Sequence, residues 1–181
     1  MAPSANPSSR RQPATRIDRA IASTVNRVDI SPSTDPAAVI ALDNLRRRYA
    51  DIVTRRAWSD MPDLFTDDCP IHLDLRGHEL HFTGGAAIAS FIDSAIANFD
   101  FFVLSILNLT AEAAGPDLAV GRMYICELRH EPASGTFSQA FGLYRDDFVR
   151  NDGRWRFARR RYSSLGRFDG SAFTAFDVPD H

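Results

Sequence analysis

Glu127 is one of four glutamates in the chain and stands in the run Met123-Tyr124-Ile125-Cys126-Glu127-Leu128. A carboxylate among apolar side chains loses the hydration of its charged form. Its pKa rises toward neutrality, where it can both take and return a proton. The competing role is an ion pair with Arg129 or with an arginine of the last strand. Tyr49 lies on a helical stretch one turn from Leu45 and from Ile52 or Val53, which turns it inward. A buried phenol needs a hydrogen-bond partner, and either a substrate oxygen or a backbone carbonyl can serve. His72 and Asp74 are further proton-handling groups, but they alternate with Ile71, Leu73 and Leu75, so strand period sends them to the face opposite the apolar one. A bulge or a one-residue slip would bring one of them round. His130, at a strand end, reads as an exposed loop residue. On a later strand Ser138, Ala140 and Gly142 alternate with Gln139, Phe141 and Leu143. Small residues on one face leave volume for a ligand, or simply let helix and sheet pack closely.

Several chemistries lack their residues. All 21 basic side chains are Arg, so no lysine Schiff base can form. Cys69 and Cys126 show neither CxxC nor Cys/His spacing, which predicts two buried thiols with no zinc site and no disulfide. Gly84-Gly85 lacks the spacing of a phosphate-binding loop, so no nucleotide cofactor is expected, and no other cofactor is implied. With a formal charge of -2 the chain has no whole-molecule field toward nucleic acid or anionic lipid. The run Arg145 to Arg167 carries eight Arg against three Asp, but strand parity divides these arginines between two faces. The longest apolar stretch, Phe99 to Leu109, is broken by Asp100, Ser105 and Asn108 and is too short for a membrane span. A cytoplasmic protein is expected, with no nucleic-acid or membrane partner.

The elements that must position these groups follow from composition and period. Residues 1 to 35 hold no aromatic and read as a polar tail with one short amphipathic helix, Thr15 to Val28; an organelle transit peptide is the other reading of that segment. From Asp35, a capping residue followed by Pro36, apolar residues recur at Val39, Leu42, Leu45, Tyr49, Ile52 and Val53, which predicts a helix to about Arg56. A short helix is expected over Asp60 to Phe65, a hairpin from Ile71 to Phe82 turning at Arg76-Gly77, and a third helix from Gly84 with the stripe Ile88, Phe91, Ile92 and Ile96. Strands follow over Phe99 to Glu112, Leu118 to His130, Thr136 to Arg150 and Arg154 to Leu165, the last after Asn151-Asp152-Gly153. Helices first and antiparallel strands last define an α+β fold: three N-terminal helices on a curled antiparallel sheet, with a domain over 36–168 and a C-terminal tail over 169–181.

That order resembles the nuclear transport factor 2-like fold. The stretches LRRRYADIVTRRAWSDMPDLFTDDCPIHLDL and GLYRDDFVRNDGRWRFARRR resemble the opening and the last hairpin of its SnoaL-like branch. The branch includes scytalone dehydratase, ketosteroid isomerase and polyketide cyclases, together with non-catalytic binding proteins and small subunits of ring-hydroxylating dioxygenases. The resemblance implies a cone-shaped pocket for a hydrophobic, oxygen-bearing small molecule and acid-base chemistry without a cofactor. RYADIV is similar to the isomerase helix whose tyrosine donates to an oxyanion, which gives Tyr49 that role. The resemblance also turns the odd positions Met123, Ile125, Glu127 and Arg129 into the pocket, and it implies Phe65, Leu73, Leu104, Asn108 and Ser138 as further ligand contacts. At the positions where relatives carry a base, this chain has Leu73, Thr54 and Leu104. The expected catalytic set is therefore Tyr49 and Glu127, with Asp74 and His72 behind them. A binding module without catalysis, or a dioxygenase subunit, is the alternative. A homodimer is expected because the helices cover only one sheet face, and Tyr124, Cys126 and Leu128 form the proposed contact row.

Overall fold

A computed structural model describes residues 35–179, all within one compact unit, Ser33–His181. The expected tail and its Thr15–Val28 helix lie outside the described residues. Helix α1, Pro36–Arg55, begins where the Asp35 carboxylate accepts from the Ala37 N–H at 3.0 Å and Pro36 supplies a first-turn φ. It ends at Arg56, whose φ of 57° turns the chain left-handed. The Arg56 guanidinium then donates to the carbonyl oxygens of Ile96 and Phe99 at 3.2 and 2.6 Å, tying the helix end to the start of the long strands. The buried face of α1 is Leu42, Leu45, Arg46, Tyr49, Ala50, Ile52 and Val53, the expected stripe with one arginine in it.

The short helix expected over Asp60 to Phe65 is instead a pair of 3-10 turns, Trp58–Asp60 and Pro62–Leu64. Pro62 has no N–H to continue an α-helical ladder from the first turn into the second. Strands β1 (Pro70–Asp74) and β2 (Glu79–Thr83) form the hairpin, and helix α2 spans Gly84–Ala95. The start of α2 presses on the 3-10 segment so closely that a Cβ on Gly85 would lie 2.7 Å from Pro62 Cα. Strands β3 (Phe101–Gly115), β4 (Leu118–Glu131), β5 (Thr136–Asn151) and β6 (Arg154–Phe168) follow. A short β7, Phe173–Ala175, then folds back along β6 within the segment expected as a tail.

The sheet order is β2-β1-β6-β5-β4-β3, with β7 on β6. All pairings are antiparallel except β1 with β6, which run parallel, Leu73 opposite Tyr162. Register shifts at Ile106/Asn108 and Ala113/Gly115 in β3, and at Leu165 and Ala158 in β6, opposite Phe141/Gly142 and Asp147/Phe148 of β5, let the long strands bend. The sheet thus curls around α1, α2 and the 3-10 turns, and the core fills the concave side. No described helix is long and apolar enough to cross a membrane.

Candidate active site

Between the helices and the concave sheet lies a cavity of about 350 Å³, within the ~300–1,000 Å³ usual for small-molecule sites. Its apolar wall is Val53 of α1, Ile88, Phe91 and Ile92 of α2, and Phe99, Phe102, Leu104, Leu73 and Leu75 around them. The sheet supplies the polar groups: Glu127 and Arg129 from β4, Tyr144 from β5, and Tyr162 and Arg167 from β6; Tyr49 enters from α1. The ladder explains this grouping. Leu104, Glu127, Ala140 and Arg167 are successive cross-strand partners on one face of β3, β4, β5 and β6. Tyr144 and Tyr162 are partners on the same face, four residues on from Ala140 along β5. Gly142 is what admits the Tyr162 ring, since a Cβ there would stand 2.1 Å from it.

Burial raises the Glu127 pKa above the ordinary carboxylate value, and the Arg129 and Arg167 charges oppose the rise. The carboxylate oxygen lies 3.8 Å from Arg129 Nη1, with the two side chains 22% and 21% exposed. That residual exposure is consistent with the place of both side chains in the cavity wall. Tyr49 is 1% exposed. Its hydroxyl is 3.4 Å from that of Tyr144, long for a hydrogen bond between hydroxyls. Burial raises both phenols, so they stay protonated at neutral pH and remain donors. Only one proton can serve the Tyr49–Tyr144 contact, which leaves the other for a ligand. Behind the phenols Arg160 is fully buried. Its guanidinium lies 4.1, 4.2 and 4.0 Å from the ring centroids of Tyr49, Tyr144 and Phe157 and donates to both Asp146 carboxylate oxygens at 2.7 and 2.9 Å. This cation fixes the rings and opposes the rise in their pKa values. Arg46 of α1, also fully buried, donates to the carbonyl oxygens of Thr110 and Arg122 at 2.6 and 3.1 Å, pinning helix to sheet.

Of the residues that the sequence placed in the pocket, Tyr49, Glu127, Arg129, Leu73 and Leu104 stand in the cavity wall. Phe65 does not; it is buried behind Tyr49, 6.2 Å ring to ring, and packs on Phe157. Met123 and Ile125 face inward but belong to the solid core, beside the strand on which Tyr144 and the Tyr162 ring close that end. Asn108 points away because the bulge at Leu107 reverses side-chain parity. Leu104 and Ile106 pair inward with Glu127 and Ile125, whereas Asn108 pairs with outward Tyr124. Ser138 faces Arg129 across the ladder, one inward position beyond Ala140 and outside the wall. His72 and Asp74 occupy the outer face, as strand period indicates, and no bulge in β1 brings them round. There His72 stacks on its cross-strand partner His81, ring centroids 4.6 Å apart, with Glu79 3.6 Å from His72 Nε2. These three are the described residues that bring metal-ligating atoms together, within 4.8 Å, and they are separated from the cavity by the sheet. Asp74 accepts from the Arg76 N–H at 2.8 Å and so serves the hairpin turn.

Tyr144, Tyr162, Arg167 and the Arg160–Asp146 pair were not singled out from sequence. The parity that turns Ala140 and Gly142 inward, carried two and four residues further, reaches Tyr144 and Asp146. Thr54 and Leu104, the positions where relatives carry their base, are adjacent here: the Thr54 hydroxyl accepts from the Leu104 N–H at 3.1 Å.

A curled, unclosed antiparallel sheet wrapped on helices around an apolar cavity is the nuclear transport factor 2-like fold. The chain belongs to the SnoaL-like domain family, which it matches over residues 37–161. Solved structures agree in fold. A scytalone dehydratase-type protein of Novosphingobium aromaticivorans superposes with a TM-score of 0.67 at 17% identity, over 80% of this chain and 95% of that one. A hexachlorocyclohexane dehydrochlorinase, LinA-type3 of Novosphingobium barchaimii, gives 0.63 at 17% identity over 79% and 95%. A protein described as nuclear transport factor 2-like, also of N. aromaticivorans, gives 0.59 at 23% identity over 77% and 94%. No curated protein sequence matches the chain significantly. Likeness at such identities is one of fold.

Proposed function

We propose that this protein is a cofactor-independent lyase, isomerase or cyclase that moves a proton on a hydrophobic, oxygen-bearing small molecule such as an aromatic polyketide or a steroid-like ketone. The observation that carries this reading is that Glu127, the one carboxylate among the described residues of the cavity wall, shares a largely apolar space with protonated phenols. A base of raised pKa and a buried donor are the two components of carbanion chemistry next to a carbonyl. Glu127 takes the proton from that carbon, the C–H electron pair becomes the C=C bond of the enolate, and the C=O π pair moves onto the oxygen. Tyr49, or Tyr144 in its place, donates its O–H to the oxygen as charge develops. Return of the proton at another carbon gives isomerisation; expulsion of a β-substituent gives elimination. Two structural neighbours, a scytalone dehydratase-type protein and a hexachlorocyclohexane dehydrochlorinase, bear names that both denote eliminations, which supports this class. Glu127 is directly opposite Leu104, so the base stands one strand away from where relatives carry it.

A second reading is a binding module of the same fold, favoured by Thr54 and Leu104, which leave the relatives' acid-base positions without acid or base. Turnover of a panel of aromatic and steroidal ketones separates the two. Under the catalytic reading Tyr49→Phe lowers kcat by about 100-fold, the scale of one lost oxyanion donor, with ligand affinity kept. Glu127→Gln lowers kcat at least as much. A doubly substituted protein with full activity would remove both residues from the mechanism, and ligand binding without turnover across the panel would favour the module.

A further inference from the structure

The charges in the cavity wall do not balance. Among the described residues its charged side chains are Arg129, Arg167 and Glu127, two cations to one anion. The buried cations nearby have their own partners: Arg160 holds Asp146 and Arg46 holds Asp43. Arg129 and Arg167 are less fully engaged. Arg129 Nη1 lies 3.8 Å from the Glu127 carboxylate, beyond hydrogen-bond reach, and Arg129 Nε is buried with no hydrogen-bond partner. Arg167 gives one N–H to the Leu75 carbonyl at 2.9 Å. Phe99 and Phe176 flank the two guanidinium groups at 5.6 and 6.0 Å, which steers them without satisfying their in-plane donors. Between them is a notch. Ala140 pairs with Glu127 on one side and Arg167 on the other, and its methyl group is the smallest side chain on the sheet side of the wall among the described residues.

We propose that the ligand carries one anionic group, a carboxylate or its equivalent, which seats over Ala140 between Arg129 and Arg167 while its apolar body lies against the helices. The assignment rests on the catalytic reading above for the identity of the pocket, and it names the substrate class: a hydrophobic acid. Arg129 is 21% exposed and Arg167 lies exposed at the rim, so both guanidinium groups can be reached by a ligand, and a guanidinium fork matches a carboxylate with two parallel donors. Glu127 remains beside the seat, one strand over, facing the part of the ligand next to the acid group.

The test uses three probes of one shape: 2-naphthoate, 2-naphthamide and 2-naphthylmethylammonium, measured by calorimetry on the full chain at pH 7.5 and low salt. The expected order places naphthoate at least about 10-fold tighter than naphthamide, the worth of one charge-assisted hydrogen bond, with the ammonium weakest. Arg129→Met and Arg167→Met each remove that preference and leave naphthamide within about twofold, because Met keeps the apolar stem. Glu127→Gln strengthens naphthoate. Equal affinity for naphthoate and naphthamide in the unaltered protein, preference for the ammonium, or no binding of any of the three overturns the proposal, whether or not the variants fold. Naphthoate offers Glu127 no proton to take, so binding and turnover fail separately. An anion preference without turnover keeps the seat and removes the acid-base role; turnover lost in Glu127→Gln with no anion preference does the reverse.

Discussion

Asp146→Ala tests the account of what holds the phenols in place. Asp146 and Arg160 are both 0% exposed at the side chain and joined by two hydrogen bonds of 2.7 and 2.9 Å. Removing the carboxylate leaves a guanidinium that cannot shed its proton, buried against Tyr49, Tyr144 and Phe157. The ring faces keep attracting it but cannot replace two in-plane acceptors. Breaking a buried pair in this way costs about 3–5 kcal/mol. For a chain of this size each kcal/mol shifts Tm by roughly 2–4 °C, so a fall of about 6–20 °C is expected. Arg160→Met should cost less, because Met fills the volume and the abandoned carboxylate can take up a proton. The pair Asp146→Leu with Arg160→Met should regain most of the loss, since apolar replacements of buried ion pairs are often neutral. Urea unfolding at pH 7 by circular dichroism gives the free energies, and near-ultraviolet dichroism reports whether the tyrosines stay ordered. A loss below about 1 kcal/mol for Asp146→Ala would show that water reaches the pair and that Arg160 does not hold the rings.

Gly142→Ala forces a methyl group into the Tyr162 ring, 2.1 Å from its nearest atom, and should cost about 1–3 kcal/mol in urea unfolding, a loss relieved when Tyr162→Leu is added. Glu127 binds its proton more tightly folded than unfolded, so the native state holds more protons in the window from the ordinary value of 4.5 up to the raised one. Its contribution to stability is full below that window and falls as pH rises through it, and Glu127→Gln should flatten this part of the profile; parallel profiles would refute the burial argument. Thr54→Val strands the Leu104 N–H and should cost about 1–3 kcal/mol, with an unchanged Tm pointing to water as a substitute acceptor. We also expect light scattering to give a homodimer, twice 20.1 kDa. The half-buried Tyr124 and Leu128 lie on the sheet face away from the helices, and charge placed at both positions should yield monomers.

The long elements were legible because period and punctuation agree: Asp35-Pro36 opens α1, and Asp152-Gly153 turns β5 into β6. What the pattern could not carry was register. A single extra residue at Leu107 moved Asn108 from one face to the other, and nothing in FFVLSILN marks that bulge. The 3-10 turns failed as a helix because the proline interrupting them also reads as a helix start. Glu127 and Tyr49 could be singled out because each is a polar group in an apolar run. Arg160 could not, since Arg159 and Arg161 stand beside it and strand parity alone does not say which of three consecutive arginines enters the core. Residue 160 is the one whose cross-strand partner on the concave face is an aspartate; Arg159 and Arg161 flank Asp147 on the other side, at 3.3 and 3.5 Å.

The parallel junction of β1 with β6 bears on how the protein is made. Residues 70–74 lie beside residues synthesised some ninety positions later, because β6 enters the middle of the sheet, between β1 and β5. On the ribosome, α1 and the β1–β2 hairpin emerge with their apolar faces complete and nothing to cover them. The cavity cannot close until β6 has been released, since Tyr162 and Arg167 are part of its wall. Pairings of such long sequence separation are slow to form and leave apolar surface exposed meanwhile. Translation that stalls between β5 and β6 would therefore release a sticky half-cone, and expression yield should depend on chaperone supply more steeply than native stability suggests.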